Sequence, residues 1–401
     1  MKIIYLHQYF KSNKSSGSTR SYEFSKALAN KGNEVNIITG SQIDEYDLGE
    51  NIKIYSTKTQ YSNNMNFTRR IMAFIDYILK SILIGIKIKD VDVIFATSTP
   101  LTIGIPGYIL SKFKKAKLIF EVRDVWPDIP IELGFIKNKL VIKLLKKLEL
   151  FIYKNSDQII TLSPGMYNNL LNKGISESKL SVIPNISNIP LYDSVKEDKN
   201  LIKKNLGIEN KFVCIHPGTM GFVNGLDNIL DVAKKIYEID KNIVFILVGE
   251  GKEKNKLIEK KENEKIENVF ILDPMPKQDV VNLIKSSDIG IMSVINYKIL
   301  EDNSANKFFD FLAAGLPIMI NYKGWQGNEL NDYNCGYSCE YTNPSDMALK
   351  IIELKNNEEL FNEMKINSKK LANQKYSLEV SLEKLYEVFN KVSIKKERKM
   401  R

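Results

Sequence analysis

Cysteine, glycine-rich loops and long apolar runs are all sparse in this chain of 401 residues, and each scarcity removes a class of function. The three cysteines, Cys214, Cys335 and Cys339, are odd in number and form no regular framework, which argues for a reducing compartment. Cys335 and Cys339 have no His or further Cys nearby in sequence, so no metal site is expected there. The first loop, HQYFKSNKSSGSTR, holds a single glycine; it is neither the GxGxxG dinucleotide fingerprint nor a Walker loop, which disfavours a nicotinamide enzyme. No signal peptide is expected, because Lys2 and a short apolar run lead directly into polar sequence, and the cytoplasm is the expected compartment. Acidic residues are outnumbered, 48 against 58 Lys and Arg, for a net charge of +10. Such an excess attracts an anionic partner: nucleic acid, phospholipid or a phosphorylated substrate. No nucleic-acid recognition motif appears, so nucleic acid is not expected.

What is present reads as alternating strands and helices. Ile3 to Leu6 predicts a buried parallel strand, followed by a polar loop, a helical pattern through Tyr22, Phe24, Ala27 and Leu28, and a strand over Val35 to Thr39. Further strands are predicted at Val93 to Ala96, Leu118 to Val122, Asp157 to Leu162 and Leu180 to Pro184. The pattern then restarts: Phe212 to Ile215 as strand, HPGTMGFVNG as loop, Leu226 to Ile239 as helix, and strands at Val244 to Val248, Val269 to Leu272, Ile289 to Met292 and Ile318 to Asn321. Two such halves predict an α/β protein of two Rossmann-like domains facing across a cleft, with ligands at the carboxyl ends of the strands. The expected division is 1–190, 200–376, and a final helical segment 377–401 crossing back to the first half. Asp90-Val91-Asp92 mimics a metal-binding DxD but precedes a buried strand, and reads as a turn.

The stretch DNSANKFFDFLAAGLP, residues 302–317, carries the densest signal. Phe308, Phe311 and Leu312 recur at helical spacing, Ser304 is the expected N-cap, and Gly315 followed by Pro317 ends the helix. A helix start offers unpaired N–H groups and partial positive charge, which suits a phosphate. Lys307 in the first turn opposes the helix dipole, and a nearby anion would account for it. Two segments, Phe67 to Lys89 and Ile136 to Lys154, are amphipathic and basic, and charges interrupt both before about 20 apolar residues accumulate. They suit helices lying on anionic lipid, or helices covering a sheet with charged outer faces.

On the residues YLHQYFKSNKSSGSTRSYEFSKAL, EVRDVWPD, HPGTMGFVNGLD, VGEG and above all SANKFFDFLAAGLPI, the chain resembles the retaining GT-B glycosyltransferases that use nucleotide sugars, close to the bacterial L-fucosamine transferase-like group of O-antigen and capsule synthesis. The resemblance spans nearly the whole length. It places Asp302 and Asp310 on the family's paired carboxylates of E-x7-E spacing, implying contacts of Asp302 with donor-sugar hydroxyls and of Asp310 with the ribose. Aspartate shortens each arm by one methylene. Relatives hold the diphosphate with an Arg and a Lys where this chain has Thr219 and Asn224, so the charge must come from elsewhere. Lys307 is the first candidate, then Arg20 and Arg123, with backbone N–H groups of Gly17, Thr219 and Met220; Asn306 at the helix start and Met275 in the segment Leu272 to Lys277 complete the expected donor contacts.

The resemblance implies transfer of a sugar, with its anomeric configuration kept, from a nucleoside diphosphate, UDP by expectation, to a hydroxyl of a polyprenyl-diphosphate-linked glycan. It implies no metal and no cofactor beyond the donor substrate, and peripheral attachment to the inner face of the cell membrane. Asp124 is the expected acceptor-side carboxylate, with Glu121 and Asp128 as rivals and His7 nearby. Two other readings stay open. A nucleotide-sugar 2-epimerase shares the architecture but should carry catalytic histidines, of which the chain has two in all. A non-catalytic nucleotide-sugar-binding membrane scaffold would suit the loss of the Arg and Lys pair.

Overall fold

The computed structural model describes residues 1–11, 19–41, 49–61, 65–195 and 201–400, which divide into two units: 1–184 with 381–401, and 185–380. The division falls directly after Pro184, ahead of the expected boundary at residue 190, because Asn185 and Ser187 already donate to carbonyls of the second unit, Ser304 at 2.6 Å and Phe309 at 2.9 Å. Gly17 lies outside the described residues.

The first unit is built on seven parallel strands: β1 (Lys2–Leu6), β2 (Glu34–Thr39), β3 (Ile52–Ser56), β4 (Val93–Thr97), β5 (Lys117–Val122), β6 (Gln158–Thr161) and β7 (Leu180–Val182), in the order β3-β2-β1-β4-β5-β6-β7. Strands buried on both faces carry continuous apolar runs, as Ile3, Ile4, Tyr5 and Leu6 do, and those runs made them legible. Strand β3, at the sheet edge, has no fully buried residue, and Ile52–Ser56 show no such run, which leaves it illegible in sequence. Asp90 takes a left-handed φ of 56° and the Asp92 carboxylate accepts from the Lys2 N–H at 2.9 Å, so Asp90-Val91-Asp92 is a turn that fastens β1 to β4. The final helix, Leu378–Met400, belongs to this unit from Ser381 onward. Phe389 packs edge-on against Phe95 at 5.7 Å, and the Tyr386 hydroxyl donates to the Ala27 carbonyl at 3.1 Å.

The second unit repeats the plan with six parallel strands: β8 (Phe212–Pro217), β9 (Ile243–Val248), β10 (Val269–Leu272), β11 (Ile289–Met292), β12 (Ile318–Ile320) and β13 (Gly336–Ser338), in the order β10-β9-β8-β11-β12-β13. Both sheets therefore reverse direction of growth beside their first strand, between β1 and β4 and between β8 and β11. Ligands of doubly wound folds gather at that point. Strand β13, three residues opening on Gly336, was too short to register in sequence. The hydrophobic core under this sheet includes Phe308, Phe309, Phe311 and Leu312, all fully buried, from the helix Asn306–Ala314.

Candidate donor site and family

The helix Asn306–Ala314 ends as its sequence dictates, with Gly315 at φ 75° closing the last turn. Its start differs from expectation. Ala305 occupies the N-cap position without a side-chain cap bond, and the Ser304 hydroxyl, one residue earlier, is buried with no hydrogen-bond partner. The helix start consequently has no side-chain cap, although the Phe308 N–H donates to the Ala305 carbonyl at 3.2 Å, and Asn306 is exposed beside it. The part-buried Lys307 reaches back over Gly218, where an added Cβ would lie 3.4 Å from Lys307 Cε, and its Nζ stands 3.2 Å from His216 Nε2. Burial lowers the Lys307 ammonium to about 8.

Asp302 closes a short 3-10 turn, Lys298–Asp302, ahead of the helix; partial burial and then the neighbouring Glu301 raise its carboxyl, against a lowering by Lys298. Asp310 lies one turn beyond Lys307. Burial raises it to about 6, opposed by Lys277 and by a hydrogen bond from the Tyr192 hydroxyl. Two carboxylates and one ammonium thus gather around an uncapped helix start, with one carboxylate poised to titrate near neutrality.

The loop after β8 is held by close backbone contact. A Cβ on Gly249 would fall 1.9 Å from the Gly218 oxygen, and one on Gly251 2.2 Å from the Met220 oxygen, so the glycines of VGEG are required by the approach of the two loops. This packing overturns one expectation. The Met220 N–H is already donated to the Glu250 carbonyl at 2.9 Å, so it is not available to a phosphate. Thr219 is exposed at the loop tip, and its carbonyl accepts from Asn224 Nδ2 at 2.7 Å, so Asn224 braces the loop. Met275 is half-buried against the core beyond β10. A second brace was missed in sequence: Asn321 receives the Val294 N–H at 2.9 Å and donates to Asn228 Oδ1 at 3.0 Å and Ser293 Oγ at 2.9 Å, while Ser293 Oγ donates to the Gly225 carbonyl at 3.0 Å. His216 and Tyr192 were missed as well. A histidine at the carboxyl end of the strand that opens the unit was the available signal for the first.

In the first unit, Arg20 departs from its expected role. Its side chain is 1 % exposed, paired with Glu121 Oε1 at 2.9 Å, and it donates to the carbonyls of Ile183 at 2.8 Å and of Pro184. A guanidinium so enclosed cannot reach a diphosphate; it serves the internal structure of the unit. The same pairing removes Glu121 from the acceptor-side candidates, since its other oxygen accepts from Thr97 at 3.1 Å. Asp128 is bridged to Lys173 at 2.6 Å. Asp124 is exposed, with Thr99 Oγ1 at 3.5 Å. His7 is buried, with Nδ1 lacking a partner, and burial lowers its pKa well below the ordinary value.

Comparison with known proteins agrees with this geometry. Residues 17–188 match the family described as Glycosyltransferase Family 4, and residues 198–371 match Glycosyl transferases group 1. Among curated proteins the chain is 25% identical over 194 residues to the putative colanic acid biosynthesis glycosyl transferase WcaI of Escherichia coli, covering 47% of each. It is 24% identical over 250 residues to the poly(ribitol-phosphate) alpha-N-acetylglucosaminyltransferase of Staphylococcus aureus, covering 61% of this chain and 47% of that protein. The chain therefore spans about half the length of the curated relatives it matches. Among solved structures, sucrose-phosphate synthase from Thermosynechococcus elongatus superposes with a TM-score of 0.77 at 12% identity, covering 98% of this chain and 99% of that one. HepE of Anabaena, solved with UDP and glucose, superposes at 0.73 and 15% identity over 97% and 99%. The likeness to these structures establishes the fold, and the two family matches together take in most of the chain. The first half of the chain thus matches Glycosyltransferase Family 4 and the second half Glycosyl transferases group 1, on the two-unit α/β fold of GT-B glycosyltransferases.

Proposed function

We propose that this protein is a retaining glycosyltransferase that moves an N-acetylated amino sugar, of the L-fucosamine type, from UDP to a hydroxyl of a lipid-linked glycan in surface polysaccharide synthesis. The observation that carries this reading is the Lys307 ammonium at the uncapped start of Asn306–Ala314, flanked by Asp302 and Asp310. As the sugar leaves UDP, negative charge grows on the β-phosphate, and a fixed cation with oriented N–H dipoles stabilises that charge more than it stabilises the ground state. Asp302 accepts from donor-sugar hydroxyls and Asp310 from the ribose; Thr219 and Asn306 lie at the loop tip and helix start beside the diphosphate, and Met275 beside the base. Asp124 of the first unit orients the acceptor hydroxyl or takes its proton. The relatives support UDP as carrier: HepE is described in complex with UDP and glucose, and TarM of S. aureus with UDP.

Two features of the first unit support a lipid-linked acceptor and an anionic membrane surface on the cytoplasmic side. The helices Phe67–Lys87 and Lys139–Asn155 expose Met72, Leu79, Leu83, Leu140 and Leu144, the last two 78% and 67% exposed, beside Lys87, Lys139, Lys143, Lys146 and Lys147. Among the described residues no helix is long and apolar enough to cross a membrane. Between these helices lies a cavity of about 1290 Å³, lined by apolar side chains such as Ile75, Ile78, Val141 and Leu145, with Lys11, Arg70 and Lys137 and, among the described residues, no carboxylate. Such a groove suits an aliphatic chain ending in phosphate. The reading is tested by a thermal-shift screen across nucleoside diphosphate sugars, since a ligand at 100 times its Kd stabilises the native state by about 2.7 kcal/mol. UDP-N-acetylhexosamines are expected to raise the melting temperature, and a flat response to every nucleoside diphosphate sugar would overturn it.

A further inference from the structure

We propose that His216 is a positioning residue for the reaction: a neutral imidazole anchor that fixes the Lys307 ammonium at the donor site without cancelling its charge. This rests on the reading of Lys307 given above. His216 is the penultimate residue of β8, beside the point where the sheet reverses, fully buried, and its ring bridges two groups. Nδ1 lies 3.0 Å from the Ile291 carbonyl on β11, and Nε2 lies 3.2 Å from Lys307 Nζ. A carbonyl only accepts, so Nδ1 carries the ring proton and Nε2 presents a lone pair. An ammonium only donates, so Lys307 gives one proton to that lone pair and keeps two for an anion. Protonating the ring would set an N–H against an ammonium; burial and then the Lys307 charge keep the imidazole neutral, outweighing the opposing pull of the hydrogen bond to the Ile291 carbonyl.

The choice of histidine has a chemical reason. A carboxylate at this position would hold Lys307 more tightly, yet it would neutralise the charge and repel a diphosphate. An apolar side chain would leave the ammonium without a fixed partner beside Gly218. A neutral acceptor holds the cation in place and preserves its full charge for the ligand. On the same unit, Asp310 accepts from the Tyr192 hydroxyl and feels Lys277, and Glu250 and Asp273 pair with Lys254.

The test is the pH profile of kcat/KM for the donor, using the full chain and the sugar nucleotide identified by the screen. Activity requires the ammonium, so it is lost as pH rises through about 8. His216→Phe removes the acceptor and is expected to move that alkaline limb down by about one pH unit, a roughly fivefold loss of relative activity at pH 8. His216→Glu is expected to move the limb in the opposite direction while raising KM for the donor. His216→Gln, whose amide oxygen accepts, keeps the limb near its original position and serves if the Phe variant does not fold. Folded His216→Phe and His216→Glu variants with the wild-type limb would overturn the inference. Lys307→Gln separates it from its foundation: if that variant retains both turnover and the limb, the donor-site reading itself fails.

Discussion

Replacing Arg20 by Met would test whether its buried pairing, rather than ligand binding, explains this residue. The side chains of Arg20 and Glu121 are 1% and 0% exposed, so removing the guanidinium strands a carboxylate with Thr97 as its remaining recorded partner and deprives the Ile183 and Pro184 carbonyls of their donor. Breaking one side of a buried ion pair costs about 3–5 kcal/mol. A second route gives a similar figure. A carboxyl without its cation escapes only by taking up a proton, which costs a glutamate ~1.36 kcal/mol for each pH unit above about 4.3, or about 3.7 kcal/mol at pH 7 and about 1 kcal/mol at pH 5. The two carbonyls add about 1–3 kcal/mol that does not depend on pH. The carboxylate part of the penalty is therefore absent below the unfolded carboxyl range and grows as pH rises from 5 to 7, while the carbonyl part stays constant. Urea unfolding measures it cleanly, because one of the two tryptophans, Trp126, lies in the first unit and the other, Trp325, in the second. In a Trp325→Phe background the fluorescence transition reports the first unit. The expected result is a loss of about 4–7 kcal/mol at pH 7 shrinking by about 3 kcal/mol at pH 5. An equal loss at both pH values, or a loss under about 1 kcal/mol with weakened UDP binding, would refute this account and return Arg20 to the donor site.

Asp310→Ala is expected to weaken UDP binding by about tenfold, measured by calorimetry, as one charge-assisted hydrogen-bonding group is lost. In the wild-type protein, affinity for UDP should fall as pH drops through about 6, because burial raises this carboxyl into that range and its protonated form accepts less well; an affinity flat from pH 5 to pH 8 would count against the ribose contact. Neutralising Lys143, Lys146 and Lys147 together should release the protein from anionic liposomes, at roughly 1 kcal/mol for each charge removed, in a sedimentation assay. Unchanged sedimentation would exclude the helix Lys139–Asn155 from the lipid contact.

The sequence by itself determined the two parallel sheets, because strands buried on both faces must be continuous apolar runs, and the α/β alternation, because parallel strands require helical crossovers. It also determined the end of the helix Asn306–Ala314, since Gly315 alone in that stretch takes positive φ without cost. The family resemblance singled out Asp302 and Asp310, and the helix dipole singled out Lys307. Tertiary structure decided which polar groups are spent and which face a ligand. Arg20 and Lys307 read alike as cations near loops, and only packing sends one into an internal pair with Glu121 and the other to the edge of Gly218. The Met220 N–H was lost to Glu250, and the brace of Asn321, Asn228 and Ser293 was invisible, because such bonds join residues up to 93 positions apart. His216 acquires its meaning in the same way: a sequence gives a histidine, but the Ile291 carbonyl on the adjacent strand sets its tautomer, and that tautomer directs the lone pair at Lys307.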